Sequence, residues 1–147
     1  MKIAIGSDHG GFLLKEEIKS YLQSKNFEVI DVGTFSAESC HYPEFAIKSA
    51  RLVSSGECQF GVGVCTTGEG VIMTANKIKG IRAGLAYNKD VARLMREHND
   101  ANYIVFGAKY TSIEEAIERL DEFFNAKFLE GRHSIRVQMI KDLEKIK

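Results

Sequence analysis

Short apolar runs alternate along the chain with longer segments in which apolar residues recur every three or four positions. The apolar runs predict β-strands at residues 2–6, 27–32, 60–64, 81–86 and 103–106. The periodic segments predict α-helices at residues 12–25, 43–56, 71–77, 89–97, 112–127 and 132–146. Strands that alternate with helices of this length require parallel crossovers. The pattern therefore predicts an α/β fold, a doubly wound five-stranded parallel sheet with helices on both faces, plus a C-terminal helix.

The composition is that of an ordinary globular protein. Of 147 residues, 44% are hydrophobic and 27% charged, and this length suits a single domain over residues 1–147. Lysine plus arginine balances aspartate plus glutamate at 20 each, so no overall field attracts nucleic acid or a membrane surface. No apolar run is long enough for a signal peptide or a membrane span. We therefore expect a cytoplasmic protein that binds neither nucleic acid nor membrane.

The cysteines are odd in number and widely spaced. Cys40, Cys58 and Cys65 form no CxxC pair, which argues against a disulfide framework and a cysteine-rich metal site. A thiol redox protein that used Cys65 would lack a resolving cysteine at short spacing. We expect free thiols in a reducing compartment and no metal site.

Four segments follow predicted strands and should meet at one edge of the sheet. They are residues 7–11, 34–43, 65–70 and the stretch after residue 106. Ligands of open parallel sheets bind beyond the carboxyl ends of the strands. We therefore expect a small-molecule site at this edge.

The segment GVGVCTTGEG, residues 61–70, connects a predicted strand to a predicted helix. Backbone N–H groups in such a turn can converge on an anion. The dinucleotide pattern GxGxxG fails because Thr66 stands where its third glycine belongs. The Walker pattern fails because Glu69, not lysine, follows Gly68. The loop is thus more typical of another anion than of a nucleotide.

Side chains on either side of this loop have two interpretations each. Cys65 stands at a strand end before a helix, where a thiolate that acts as a base is favoured, but it also fits a small buried apolar residue. Asp8 and His9, in SDHGG, either contact a ligand or have a structural role, in which Asp8 caps the next helix. Their positions alone leave both interpretations open.

Two further groups of polar residues occur late in the chain. His98 and Asn99 end a predicted helix, where the dipole favours an imidazolium that can supply a proton. Arg132 and Arg136 are four residues apart on one helix face, a spacing that lets two guanidiniums clamp one phosphate. A helix cap and a solvated basic face are the corresponding structural interpretations.

Taken in order, six blocks resemble one known family: GSDHGG, HYPEFA, VCTTGEG, ANKIKGIRA, REHND and GRHSIRV. The chain is similar nearly end to end to the sugar-phosphate isomerases that include type B ribose-5-phosphate isomerase and galactose-6-phosphate isomerase. The resemblance implies aldose–ketose isomerisation of a sugar phosphate through an enediolate, without a metal or organic cofactor. It also implies a homodimer, or a dimer of dimers, with active sites shared between subunits.

The resemblance implies a role for each candidate residue. Cys65 matches the catalytic base, His98 the acid/base that opens the sugar ring, and Thr67 a group that holds the enediolate oxygens. The remaining matches are substrate contacts from the loop and from other segments: Asp8, His9, Tyr42, Thr66, Gly68, Glu69, Gly70, Asn99, Lys109, Arg132 and Arg136.

The loop also departs from the family pattern. Thr66 stands where glycine is usual, and Glu69 occupies a position that is usually uncharged. These changes motivate an alternative hypothesis, a protein that binds a sugar phosphate without turning it over. The size of the sugar stays open, because His41 is more typical of the galactose 6-phosphate branch and the GRHSIRV block of the ribose 5-phosphate branch.

Overall fold

The computed structural model describes residues 1–146, and a parallel sheet forms its centre. The strands are β1 Lys2–Ser7, β2 Glu28–Asp31, β3 Phe60–Cys65, β4 Ala83–Leu85 and β5 Tyr103–Gly107. Every strand pair is parallel, in the order β2-β1-β3-β5-β4. The predicted five-stranded parallel α/β fold is therefore confirmed. β4 is shorter than the predicted 81–86, because Ile81 belongs to a turn in which its N–H bonds to the Ile78 carbonyl.

Helices connect the strands and close the chain. They are α1 Phe12–Ser24, α2 Tyr42–Ser54, α3 Glu69–Ala75, α4 Lys89–Glu97, α5 Ile113–Asn125 and α6 Arg132–Leu143. Short 3₁₀ turns at His9–Gly11 and Ala108–Tyr110 follow β1 and β5. α3 begins before the predicted residue 71, because the Gly68 carbonyl already accepts the N–H of Ile72. Within residues 1–146, no helix has the length and apolar character needed to cross a bilayer.

Each face of the sheet has its own apolar core, because successive strand residues point to opposite faces. One face packs against α1, α4 and α5 through the strand residues Ile3, Ile5, Val62, Val64, Ile104 and Phe106. The other packs against α2 and α3 through Ala4, Cys65, Tyr103 and Val105. Covering both faces explains why the strands read as continuous apolar runs. It also places Cys65 on the side of α2 and α3.

A buried ion pair connects α1 to the last residue of β2. The Lys15 side chain is fully buried, and its Nζ lies 2.5 Å from Asp31 Oδ2. The other Asp31 oxygen accepts the Gly33 N–H at 2.9 Å, and the Gly33 carbonyl accepts the Ser7 N–H at 2.7 Å. The pair therefore fixes the end of β1, directly before Asp8.

We expect Asp31→Asn to lower the free energy of unfolding by about 3 kcal/mol, because it leaves a buried lysine with Glu16 as its remaining anionic partner. Urea unfolding measures this loss. Glu44→Gln is the matched control, since Glu44 pairs with Lys48 on the exposed face of α2, and it should change stability by less than about 1 kcal/mol. Equal effects of the two substitutions would contradict this assignment.

Candidate active site

The CTTGEG loop turns the chain from β3 into α3 around the Cys65 sulfur. Cys65 is 5% exposed, and the N–H of Gly68 donates to its Sγ at 3.1 Å. Gly68 has a φ of +84°, a left-handed conformation that favours glycine. An amide hydrogen directed at sulfur stabilises negative charge there. The turn thus directs a backbone amide at the Cys65 sulfur at the carboxyl edge of the sheet.

Thr67 and Glu69 line a cavity of about 270 Å³ on the β4 and β5 side of the loop. The Thr67 hydroxyl accepts the Glu69 N–H at 3.2 Å. The Glu69 side chain is exposed and borders this cavity together with Tyr87 and Arg119. The loop therefore carries the unusual carboxylate of Glu69 towards an open cavity that also has a guanidinium in its wall.

His9, Thr66 and Lys109 meet at a second cavity, of about 390 Å³, on the α1 side of the loop. The Lys109 N–H donates to the Thr66 carbonyl at 3.0 Å, which ties the segment after β5 to the loop. His9 Nδ1 accepts the backbone N–H of Cys40 at 3.2 Å, so its Nε2 carries the hydrogen in the neutral ring. This cavity thus combines a cation with a fixed imidazole.

Asp8 and Tyr42 complete the groups at this edge. Asp8 is buried, and its Oδ1 accepts the Gly11 N–H at 3.1 Å, so it caps the 3₁₀ turn His9–Gly11 rather than α1, whose N-cap is Gly11. Tyr42 is the first residue of α2, and its ring lies against Gly70, where a Cβ would overlap it. The structure therefore brings the N-terminal candidates, the loop and Lys109 to one edge.

His98, Asn99 and the two arginines lie at the opposite end of the sheet. α4 starts after the carboxyl end of β4 and runs back to the amino end of β5, so its C-terminal residues His98 and Asn99 emerge there. The Asn99 carbonyl accepts a hydrogen bond from Nε of Arg82, just before β4. Within one chain, these residues are therefore not brought together with Cys65.

α6 joins this second group through a pair of histidines. The rings of His98 and His133 stack with centroids 4.2 Å apart and 12° between their planes. Arg132 and Arg136, on the same helix, therefore lie at the same end of the sheet as His98. The sequence patterns assigned no role to His133. Its stacking partner His98 lies on another helix, and no local pattern relates the two residues.

Asp100 holds the turn that follows His98. Its carboxylate lies 2.9 Å from Nη1 of Arg96 and 3.3 Å from Nη2 of Arg82, and its φ is +48°. The Arg96 guanidinium lies 4.9 Å from the centroid of the Phe60 ring. This clamp was not predicted, although Asp100 belongs to the REHND block. It fixes the backbone at His98.

A buried hydroxyl pair lies beneath the loop. Tyr103 in β5 is fully buried, and its Oη is 2.6 Å from Ser49 Oγ in α2. Burial raises the pKa of Tyr103 far above its usual range, and the hydrogen bond with Ser49 offsets only part of this, so the residue stays a neutral phenol. Gly63 makes room for this ring, since a Cβ there would meet the phenol oxygen. A tyrosine in an apolar strand gives no sequence signal for this position.

Comparison with known proteins identifies the class that this arrangement belongs to. A family model described as Ribose/Galactose Isomerase matches residues 3–140. Ribose-5-phosphate isomerase B of Escherichia coli strain K12 is 42% identical over 143 residues, which cover 97% of this chain and 96% of that protein. The chain therefore belongs to the ribose/galactose isomerase family, and the predicted resemblance is confirmed.

Solved structures agree in fold over almost the whole chain. The structure of ribose-5-phosphate isomerase B from Clostridium thermocellum matches with a TM-score of 0.97 and 47% identity, covering 99% of this chain and 98% of that one. The Mycoplasma genitalium enzyme with bound ribulose-5-phosphate matches with a TM-score of 0.96 and 36% identity, covering 99% and 97%. The prediction of an aldose–ketose isomerase is thereby confirmed at the level of the family.

Metal ligands do not cluster in the part of the chain that the structure describes. Within residues 1–146, no three His, Cys, Asp or Glu side chains are placed so that they could hold a metal ion. The three cysteines are free thiols. The polar groups at the carboxyl edge are hydroxyls, amides, an imidazole, cations and the carboxylates of Asp8 and Glu69.

We expect His133 to lose its proton at a lower pH than an ordinary histidine. Partial desolvation lowers its pKa, as do the positive charges of His98, Arg132 and Arg136. A proton-detected NMR titration of the imidazoles should show this, and His98→Ala should raise the His133 pKa. Unchanged titration in that variant would contradict the stacked pair.

The same shift makes folding sensitive to acid. Since the folded state binds the His133 proton less tightly than the unfolded state, stability should fall as pH drops through the unfolded value of 6.5 towards the lower folded value. Urea unfolding of His133→Gln, compared with the wild type between about pH 5 and 8, should lack this part of the pH dependence.

Proposed function

We propose that this chain interconverts ribose 5-phosphate and ribulose 5-phosphate, or a related hexose 6-phosphate pair, through an enediolate with Cys65 as the base. The observation that carries the proposal is the Gly68 N–H on the Cys65 sulfur at the carboxyl edge of the sheet. The bound ribulose-5-phosphate of the Mycoplasma genitalium relative supports this class of substrate. Free cysteines agree with a reducing, cytoplasmic setting.

The chemistry assigns a step to each group at the loop. Moving hydrogen between C1 and C2 requires a base that removes a proton from carbon, and the thiolate of Cys65 does this. Charge then develops on the sugar oxygens, where the Thr67 hydroxyl stabilises it together with the loop amides other than those of Gly68 and Glu69, which donate to Cys65 Sγ and Thr67 Oγ1. Since the phosphate does not react, its binding positions the carbons. Lys109 and His9 supply a cation and a hydrogen donor for it.

We further propose that each site is completed by a second copy of the chain. His98 and the arginine pair are at the wrong end of their own sheet to reach Cys65, so they can act only on the Cys65 of another subunit. In the homodimer, His98 of the partner subunit opens the sugar ring. Asn99 of the partner subunit contacts the sugar hydroxyls, together with Asp8 and Tyr42 of the first chain. Arg132 and Arg136 of the partner subunit bind the phosphate.

Exposed apolar side chains support the homodimer. α6 and the residues after it expose several large ones: Ile135, Met139, Ile140, Leu143 and Ile146. Met73 on α3, the helix that follows the CTTGEG loop, is also 63% exposed. Apolar groups concentrated in this way are typical of a protein interface. Covering the α6 surface would bring a second chain close to the helix that carries Arg132 and Arg136.

We expect Cys65→Ala to reduce turnover at least about 1,000-fold while the fold stays intact. A coupled assay on ribose 5-phosphate, allose 6-phosphate and galactose 6-phosphate measures turnover, and circular dichroism measures folding. Cys58→Ala is the control, since Cys58 is buried in the same core but lies outside the loop, and it should remain active. Near wild-type rates for Cys65→Ala on an accepted substrate would show that another residue is the base.

Sugar-phosphate binding by the wild type, without turnover of any of the three compounds, would instead favour the non-catalytic hypothesis. Isothermal calorimetry with the same three phosphates detects such binding. The two hypotheses thus predict opposite results in the assay and the same result in calorimetry.

Mixing two inactive variants tests the shared site. We expect co-expressed Cys65→Ala and His98→Ala chains to recover about a quarter of wild-type activity, because half of random dimers are hybrids and each hybrid has one intact site of two. Cys65→Ala mixed with the Cys65→Ala/His98→Ala double variant should recover none. If both mixtures stay equally inactive, while each variant folds, the site does not span two subunits.

A further inference from the structure

Gly10 and Thr66 face each other at the cavity that His9 and Lys109 line. A Cβ on Gly10 would overlap the Thr66 hydroxyl oxygen, while its next neighbours, Thr66 Cβ and Asp8 Oδ1, are at an ordinary 3.4 Å. Gly10 does not have the positive φ that favours glycine. The Thr66 side chain therefore occupies space that is free because residue 10 is a glycine.

Thr66 lies between the two ends of a bound sugar phosphate, if the function proposed above is correct. It directly follows the base Cys65, where the reacting carbons would lie. Its carbonyl accepts the Lys109 N–H, and its side chain lines the cavity that holds the Lys109 and His9 groups proposed for phosphate. The carbon chain that joins these ends would pass the Thr66 side chain.

We propose that Thr66 is a specificity-determining residue whose bulk, accommodated by Gly10, restricts the site to five-carbon sugar phosphates. The inference rests on the proposed function and deepens it. A six-carbon phosphate must place one more carbon between the reacting end and the phosphate, in space that Thr66 occupies. Threonine is branched at Cβ, so a hydroxyl or a methyl group fills the space in two of its three staggered rotamers, and the branching restricts rotation between them.

The inference assigns a role to a residue that departs from the pattern of the loop. A six-carbon sugar phosphate has one CHOH group more than a five-carbon one. Pockets discriminate by about 10- to 200-fold between substrates that differ by one methylene, which sets the scale for the steric part of the effect. Thr66→Gly removes the bulk together with the hydroxyl. Thr66→Val keeps the bulk and the branching and removes the hydroxyl, so it separates shape from hydrogen bonding.

The test compares kcat/KM for ribose 5-phosphate and allose 6-phosphate in the wild type and both variants. The wild type should prefer the five-carbon compound, Thr66→Gly should lower this preference about tenfold, and Thr66→Val should preserve it. A wild type that prefers allose 6-phosphate would overturn the inference. So would an unchanged preference in Thr66→Gly, or a loss in Thr66→Val as large as that in Thr66→Gly.

Measuring the preference for the five-carbon compound as a ratio of binding affinities distinguishes an error in this inference from an error in the proposed function. In the Cys65→Ala background, calorimetry gives the ratio of the two dissociation constants without turnover. A tenfold change of that ratio by Thr66→Gly supports the inference even if the wild type isomerises neither compound. An unchanged ratio overturns it even if the wild type is an active isomerase.

A double-mutant cycle tests the structural basis without any ligand. Gly10→Ala should lower the urea midpoint in the wild type, because its methyl group displaces Thr66. In the Thr66→Gly background, which serves as the matched control, the same substitution should leave the midpoint unchanged. Equal shifts in both backgrounds would show that Gly10 does not accommodate Thr66 and would overturn the proposal.

Discussion

The close approach of backbone segments around the end of β3 is the constraint on which the site depends. A Cβ at Gly11 would overlap the Val64 carbonyl, and a Cβ at Gly107 would overlap the Thr67 backbone. The chain leaving β1 and the chain leaving β5 can therefore touch the central loop only because these positions have no side chain. Gly68, in a left-handed conformation, then directs its N–H at the Cys65 sulfur. Dense packing of this kind leaves the loop little freedom, which suits the base proposed at Cys65.

The parallel topology divides the candidate residues into two sets. Because each crossover helix returns to the amino end of the sheet, a residue at the start of such a helix and a residue at its end lie on opposite edges. Cys65 and Tyr42 stand at the first kind of position, whereas His98 stands at the second. A single sheet of this type cannot bring all of them to one ligand. The second subunit proposed above thus follows from strand direction rather than from any particular contact.

Strands and helices could be predicted because both faces of the sheet are covered, so buried runs and amphipathic helices repeat with clear periods. The same pattern predicted that residues 7–11, the CTTGEG loop and Lys109 lie at one edge of the sheet, since the ends of the strands are easily located in the sequence. Other features gave no signal. Lysine normally indicates an exposed position, yet Lys15 is fully buried because Asp31 and Glu16 pair with it. The contacts between Tyr103 and Ser49, and between His98 and His133, join segments far apart in sequence, and no local period encodes them.

Glu69 shows how the loop tolerates a charge that its family pattern lacks. A carboxylate close to the Cys65 sulfur in a buried environment would disfavour the thiolate by like charge. The backbone of Glu69 instead begins α3 with its N–H on the Thr67 hydroxyl, and its side chain is exposed beside Arg119 and Tyr87. Water and salt screen a charge in that setting much more than in the packed space around the sulfur. The departure at residue 69 is therefore compatible with the proposed cysteine base, and the departure at residue 66 places a side chain in the cavity that His9 and Lys109 line.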